Sequence, residues 1–473
     1  MRIRRERSLK RLTDRTYFAL PILAQNWSCT AAGYARFRSR FGNHFQSILR
    51  EWEDTVTWPE ERLIDLQRRR LRALIEHART NVPYYRDLPE PSRSEDPMQA
   101  IHEMLSEIPP LEKWVYRDQP EAFLARDLPR SSLVSGYTSG TTGSALPLWC
   151  TPEALAEEYA SVWRMRRSCG VSSPREPNLT FNGSMIVPFD QSEPPFWRTS
   201  AYDRRTLFSV YHMAPENLRA YIDAAHDLPA RYVEGYPSAI HLVARAMLQE
   251  GRPVPPGRIT AVFTSSESLL AFQRQTIEKA FNAPVRDRYG VSEKCVSMTE
   301  CERGFLHVDM EFGIVEVEGE PDADGSVTGP LVVTGLASDA TPMIRYRIGD
   351  VGTRMGKPCA CGRRGDVFEH VDGRIEDYVL TPDGRLIGRL DHIFKQQYQV
   401  AEAQILQETR NAIDILLVPR EGYNEASLQL LLKEARARLG NEIEIRVRQV
   451  DHIAREPNGK FRAVKSKVGT IYD

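Results

Sequence analysis

Residues 138–143 read Thr-Ser-Gly-Thr-Thr-Gly, a run too small and too polar to build a core. Thr138, Ser139, Gly140, Thr141, Thr142 and Gly143 offer mainly backbone N–H groups and hydroxyls, donors that suit an anion such as phosphate. An NTPase phosphate loop needs a lysine directly after its last glycine and runs into a helix. Here Ser144 follows, and Pro147 with LPLWCT reads as a strand, so the loop joins two strands. Taken alone it reads equally well as a flexible hairpin turn. RYGVSEK (288–294) sets Tyr289 and Glu293 at a fixed offset. IRYRIGDVG (344–352) puts Asp350 after a glycine in a strand context, and REPNGKFRAVKSK (455–467) carries Lys460 on a Pro457-Asn458-Gly459 turn. Singly, Glu293 reads as a helix N-terminal charge, Asp350 as a turn initiator and Lys460 as a surface lysine.

A second group of residues has metal-binding chemistry. Cys301, His307, Cys359 and Cys361 supply three thiolates and an imidazole, a Cys₃His set that suits tetrahedral zinc. Four protein ligands would close the site, which makes it structural. Cys295 lies near enough in sequence to compete for a place, and buried free cysteines beside a core histidine are the alternative reading.

In this order and at these separations, the four stretches around 138, 289, 350 and 460 resemble the core motifs of the adenylate-forming superfamily. Those enzymes make acyl-adenylates from ATP and a carboxylic acid. GYPSAI (235–240), PPFWR (194–198), CACGRRGD (359–366) and GRIEDYVLTPDGRLIGRLDHIF (373–394) are similar to the phenylacetate–CoA ligase-like branch and its capsular-polysaccharide subgroup. The resemblance implies that the 138–143 loop cradles the β- and γ-phosphates, Tyr289 flanks adenine and Glu293 holds Mg²⁺. It further implies that Asp350 takes the ribose hydroxyls, Arg374 supports the nucleotide from a hinge, and Lys460 bridges the carboxylate and the α-phosphate. The physical chemistry agrees. Carboxylate attack on a phosphate brings two anions together, so cations and positioning must do most of the work, and an ionised carboxylate needs no general base.

The acid would enter an apolar, aromatic-friendly pocket formed by Tyr236, Phe196 and Trp197, although each of these also reads as ordinary core. The acceptor stays open between CoA, giving a thioester, and an amine or hydroxyl of an amino acid or sugar, giving an amide or ester. TPDGRLIGRLDHIF (381–394) replaces the glycine-bearing hairpin that approaches the pantetheine arm in acyl–CoA ligases. An inactive nucleotide-binding scaffold is the reading from outside enzymology; Glu293, Asp350 and Lys460 together argue against it.

These residues need elements to hold them. Leu63, Leu66, Leu71, Leu74, Ile75 and Ala78 keep one apolar face at helical spacing until Pro83. Short β-rich runs then alternate with helices, which argues an α/β body, and residues 304–354 read mostly as strands. Beyond Gly373 comes a compact tail with a helix from Asn424 to Leu439, closed by Gly440. The expected architecture is therefore an α/β acyl-adenylate ligase fold: a multi-sheet α/β body over 1–373 and a small mobile α+β domain over 374–473.

Composition sets the outer limits. Of 473 residues, 41% are hydrophobic and 27% charged, an ordinary globular balance. Lys plus Arg (63) nearly cancels Asp plus Glu (64), so no global field favours nucleic acid. Seven scattered cysteines suit a reducing cytoplasm better than a disulfide framework. MRIRRERSLKR is strongly basic and YFALPILAQNW is too short to span a membrane, so no stable insertion is expected. The basic N-terminus reads as solvated, or alternatively as weakly attracted to an anionic membrane surface. Dimers occur among proteins of this kind, so the resemblance allows a homodimer.

Overall fold

The computed structural model describes residues 16–137, 146–188, 190–374, 379–382, 386–387, 390, 400–454 and 461–468. Helices α1 (Ile22–Arg40), α2 (Asn43–Thr55), α3 (Glu60–Asn81), α4 (Pro97–Ser106) and α5 (Lys113–Asp118) open the chain. The apolar stripe on α3 buries Leu63, Leu71, Leu74, Ile75 and Ala78, each contributing roughly 1–3 kcal/mol of transfer free energy. Strands β1 (Val134–Tyr137) and β2 (Pro147–Cys150) pair antiparallel, and α6 (Pro152–Ser168) follows, capped by the Thr151 side chain.

A single sheet then organises the body. Strands β3 (Asn178–Asn182), β4 (Trp197–Ser200) and β5 (Arg205–Ser209) precede helix α7 (Leu218–Asp227). They are followed by β6 (Tyr232–Gly235), α8 (Pro237–Gln249), β7 (Ala261–Ser265), α9 (Ala271–Phe281) and β8 (Val285–Gly290). Five of these strands run parallel in the order β5-β3-β6-β7-β8, with helical crossovers, as the alternating pattern predicts. The following strands are β9 (Ser297–Glu300), β10 (Leu306–Val308), β11 (Gly313–Val317), β12 (Val327–Gly335), β13 (Tyr346–Arg354) and β14 (Val367–Arg374). They extend the same sheet antiparallel, giving the order β11-β12-β13-β14-β10-β9-β8-β7-β6-β3-β5-β4. The two halves join at β8 and β9, with β9, β10 and β14 between β8 and β13.

The tail makes its own core. Strands β15 (Val379–Leu380) and β16 (Leu386–Ile387) pair with each other. Strands β17 (Val400–Thr409), β18 (Ala412–Pro419), β19 (Glu444–Gln449) and β20 (Val464–Ser466) form a sheet in the order β19-β18-β17-β20. Helix α10 (Glu425–Leu439) packs on it through Leu431, Ala435 and Leu439. Asn424 accepts from the Ser427 N–H, and Gly440 ends the helix at a φ of 85°, as the sequence led us to expect.

Candidate active site

The turn after β8 gathers three of the expected nucleotide residues. Tyr289, on β8, donates its hydroxyl to Asp350 Oδ2 on β13 at 2.5 Å. Burial, then the charges of Asp350 and Glu293, push the Tyr289 phenol well above its usual range, so it remains a donor. Glu293 Oε1 accepts from Tyr346 at 3.2 Å and lies 3.6 Å from Lys113 Nζ. Its side chain is only 7% exposed, a carboxylate set aside from bulk water beside one cation. The fit to a hard dication is chemical: an anionic oxygen ligand in a polar recess. Lys294 takes a left-handed φ of 56° in this turn and pairs with Glu158 of α6 at 2.6 Å. Such backbone strain is held by surrounding contacts and is commonest at functional sites.

Lys113 is a residue that sequence reasoning missed. It opens the short helix α5, and nothing in its pattern marks it. A backbone bridge places it: Leu111 N–H donates to Arg345 O at 2.7 Å, and Arg347 N–H donates to Leu111 O at 3.0 Å. A surface-looking lysine is thereby docked on β13 opposite Glu293.

A cavity of about 510 Å³ adjoins this turn, between the sheet face carrying Thr180, Tyr232, Glu234 and Phe263 and the helices α1 and α6. Tyr236 lines it at the carboxyl end of β6. The approach there is tight: a Cβ on Gly235, whose φ is 146°, would fall 2.0 Å from Phe181 O. Phe196 lies elsewhere, fully buried and stacked near His212 and Tyr221, and Trp197 packs against Phe208. Aromatic side chains such as Tyr159, Trp163, Tyr232 and Phe263 line it with Tyr236, and arginines from α1, α6, β5 and β8 also converge on it. Those positions are distant in sequence, so no local pattern announces a charged cavity.

Cys301, His307, Cys359 and Cys361 do converge. Their ligand atoms all lie within 4.8 Å of one another. Cys301 Sγ sits 3.8 Å from Cys359 Sγ, and Cys361 Sγ sits 3.3 Å from His307 Nε2. The set joins the β9–β10 hairpin to the turn between β13 and β14. Cys295 is fully buried in the hydrophobic core and is not part of it. Arg363, two residues beyond Cys361, anchors the turn by donating to Asp309 at 2.7 Å and Thr299 at 2.9 Å. Asp309 is shared with Arg164 at 2.6 Å, and Arg164 also holds Glu311. Three thiolates and an imidazole at this spacing match what zinc takes.

The expected phosphate loop (Thr138, Ser139, Gly140, Thr141, Thr142 and Gly143), together with Lys460 and the side chain of Arg374, lies outside the described residues. The backbone of Arg374 pairs with Asp350 across β13 and β14. Phe461, the residue after Lys460, donates its backbone N–H to Glu267 Oε1 at 2.9 Å. Glu267 also accepts from Ser238 N, next to Tyr236. No described helix is long and apolar enough to cross a membrane.

Comparison with known proteins gives a consistent account. Residues 379–467 match the CapK C-terminal domain family. The chain is 24% identical to Protein CapK of Staphylococcus aureus over 450 residues, covering 93% of this chain and 96% of that one. It is 25% identical to the phenylacetate–coenzyme A ligase of Thermus thermophilus, covering 68% and 73%. It is also 25% identical to the indoleacetate–lysine synthetase of Pseudomonas savastanoi, covering 59% and 66%. Among solved structures, 2-hydroxyisobutyryl-CoA ligase in the postadenylation state shares the fold. The TM-score is 0.65 at 18% identity, with 87% of this chain and 91% of that one covered.

Proposed function

We propose that this chain, an adenylate-forming ligase of the phenylacetate–CoA ligase-like branch with CapK-type relatives, activates a small carboxylic acid and passes the acyl group to an acceptor. The observation that carries the reading is the cluster of Tyr289 on β8, Asp350 on β13, Glu293 in the turn after β8 and Lys113 on α5, near the 510 Å³ cavity that Arg288 of β8 lines. A nucleotide fits this cluster through its ribose on Asp350 and its phosphates toward Lys113 and the 138–143 loop.

In the first half-reaction a carboxylate oxygen attacks the α-phosphorus of ATP, the P–O bond to the β-phosphate breaks, and pyrophosphate leaves. Lys460 holds the two approaching anions together, and Asp350 keeps the ribose in register. Glu293 would hold Mg²⁺, which would supply charge neutralisation on the phosphates. The contact from Phe461 to Glu267 supports this role for Lys460, since it ties the residue after Lys460 to the segment that follows the cavity-lining Ser265 and Ser266.

In the second half-reaction an acceptor attacks the acyl carbon and AMP leaves. We assign CoA as the acceptor, giving a thioester; similarity to an amide-forming lysine synthetase favours an amine as the second reading. We place a hinge near residue 374 that lets a mobile tail, residues 374–473, rotate between the two steps. The Cys₃His set is proposed as a structural zinc site, and the setting as cytoplasmic, where ATP and free thiols coexist. Mass analysis of products after incubation with ATP, an acid panel and CoA, lysine or amino sugars tests the acceptor. A thioester supports the first assignment; an amide formed while CoA stays unmodified overturns it.

A further inference from the structure

The charges of the cavity do not cancel. Glu158, Asp203 and Glu234 line it on the acidic side, against guanidinium groups from Arg36, Arg40, Arg166, Arg205 and Arg288. Asp203 is matched by Arg36 at 3.0 Å. Glu234 is matched by Arg166 and by Arg205 at 2.6 Å, and Glu158 by Arg288 at 3.2 Å and Lys294 at 2.6 Å. Burial opposes ionisation of Glu158 and Glu234, yet their cationic partners bring each carboxyl down to about 2. Neither releases its partner at neutral pH.

Arg40 is left over. Among the described residues it has no carboxylate at ion-pairing distance, and its guanidinium carbon lies 4.4 Å from the centre of the Tyr159 ring. Burial disfavours its charge and the neighbouring Arg36 and Arg205 add to the cost, while Tyr159 and Glu158, beyond ion-pairing distance, offset part of it. A guanidinium nonetheless stays protonated, and an anion paired with it would complete the compensation. Service to the helix dipole does not explain the position. Arg38 already performs that task at the end of α1, exposed and bonded to Tyr34.

Position within the cavity gives Arg40 a role. Tyr236, Ser265 and Ser266 sit at the carboxyl ends of the parallel strands, near Glu267 and its contact from Phe461, the end to which the proposed function assigns activation. Arg205 opens β5, and Asp203, two residues before it, holds Arg36, so the arginines of α1 meet the opposite, amino-terminal end of the strands. Thr180 and Thr264 line the space along the strands, and Asn182 and Ser184 line its carboxyl end, hydroxyl and amide groups that suit a polar chain. We propose that the cavity selects an acid bearing a second anionic group, a carboxylate or a phosphate, and that Arg40 is the specificity-determining counter-ion for that group. The inference rests on the acid-activation reading and names its substrate class. A planar guanidinium fork matches either anion bidentately.

Acid-dependent ATP–pyrophosphate exchange tests it with matched pairs: succinate against succinamate, glutarate against glutaramate, and 3-phosphoglycerate against glycerate. The wild type is expected to favour the dianion of at least one chemistry by about 30- to 100-fold in kcat/KM, the worth of a charge-assisted bond to a buried group. Arg40→Met should reduce that ratio to within about threefold, through KM for the acid, while Arg38→Met keeps it. The carboxylate and phosphate pairs tell the two anions apart. Preference for the uncharged partner, or a ratio unchanged in Arg40→Met, overturns the proposal. Calorimetric titration of the same diacids into wild type and Arg40→Met separates this proposal from the parent reading. Arg40-dependent binding without exchange contradicts acid activation and leaves the anion site standing; absence of such binding refutes the anion site.

Discussion

The Tyr289 hydroxyl reaches the Asp350 carboxylate at 2.5 Å, joining β8 to β13 across 61 residues of sequence. The bond orients one oxygen of the carboxylate that we propose takes the ribose. Asp350→Ala is expected to lower kcat/KM for ATP by about 10- to 100-fold, chiefly through KM, since a hydrogen bond to a charged group is worth about 1.5–3 kcal/mol. The discriminating measurement is the ratio of ATP to 2′-deoxy-ATP. It should fall toward unity in Asp350→Ala; a preserved ratio would remove Asp350 from the ribose site.

Glu293 lies between Tyr346 and Lys113 with little solvent around it. Glu293→Gln keeps the shape and removes the charge. Exchange should drop by about 100-fold, and the Mg²⁺ concentration for half-maximal rate should rise. A rate loss with an unmoved Mg²⁺ dependence would assign Glu293 to holding Lys113 instead.

The Cys₃His cluster predicts about one zinc per chain by elemental analysis of the native protein. Removal by a chelator should lower the melting temperature by several degrees, because metal binding is linked to folding. Adenylation measured at low temperature should persist, since the cluster's ligands differ from the nucleotide residues. Metal-free protein with an undiminished melting temperature would refute the site.

Acid stability should show the buried pairs. Glu234 is held at about 2 by Arg166 and Arg205 against the cost of burial. Its folded value lies below the unfolded one of about 4.3, so the unfolded chain binds the proton more readily. The stabilisation is therefore complete above that value and is lost as pH falls toward 2. Urea midpoints should hold between pH 8 and 6 and decline below pH 5. Glu234→Gln should cost about 3–5 kcal/mol at pH 7, because it strands two buried arginines, and should flatten the acid decline.

What the sequence made legible follows from how local each signal is. Helix α10 was readable to its ends because Asn424 and Gly440 sit at its boundaries and its apolar face repeats within one segment. Asp350 and Glu293 stand in ordered motifs of the sequence, and the fold brings them near each other through Tyr289 and Tyr346. The merging of both halves into one sheet was not readable, because β10 is only three residues long and carries almost no period. Nor was the charged cavity. Arg40 looks like any basic helix end, and only the fold of α1 against α6 and β4 turns it toward Tyr159. Lys113 is similar, since it depends on a bridge from Leu111 to residues more than two hundred positions away.

The central claim is that an acid is joined to AMP here, and exchange of labelled pyrophosphate into ATP tests it most directly. The wild type should exchange label only when a suitable acid is present, and Lys460→Ala should reduce that exchange by at least about 100-fold with ATP binding retained. Exchange that needs no acid, or that survives undiminished in Lys460→Ala, would contradict the account.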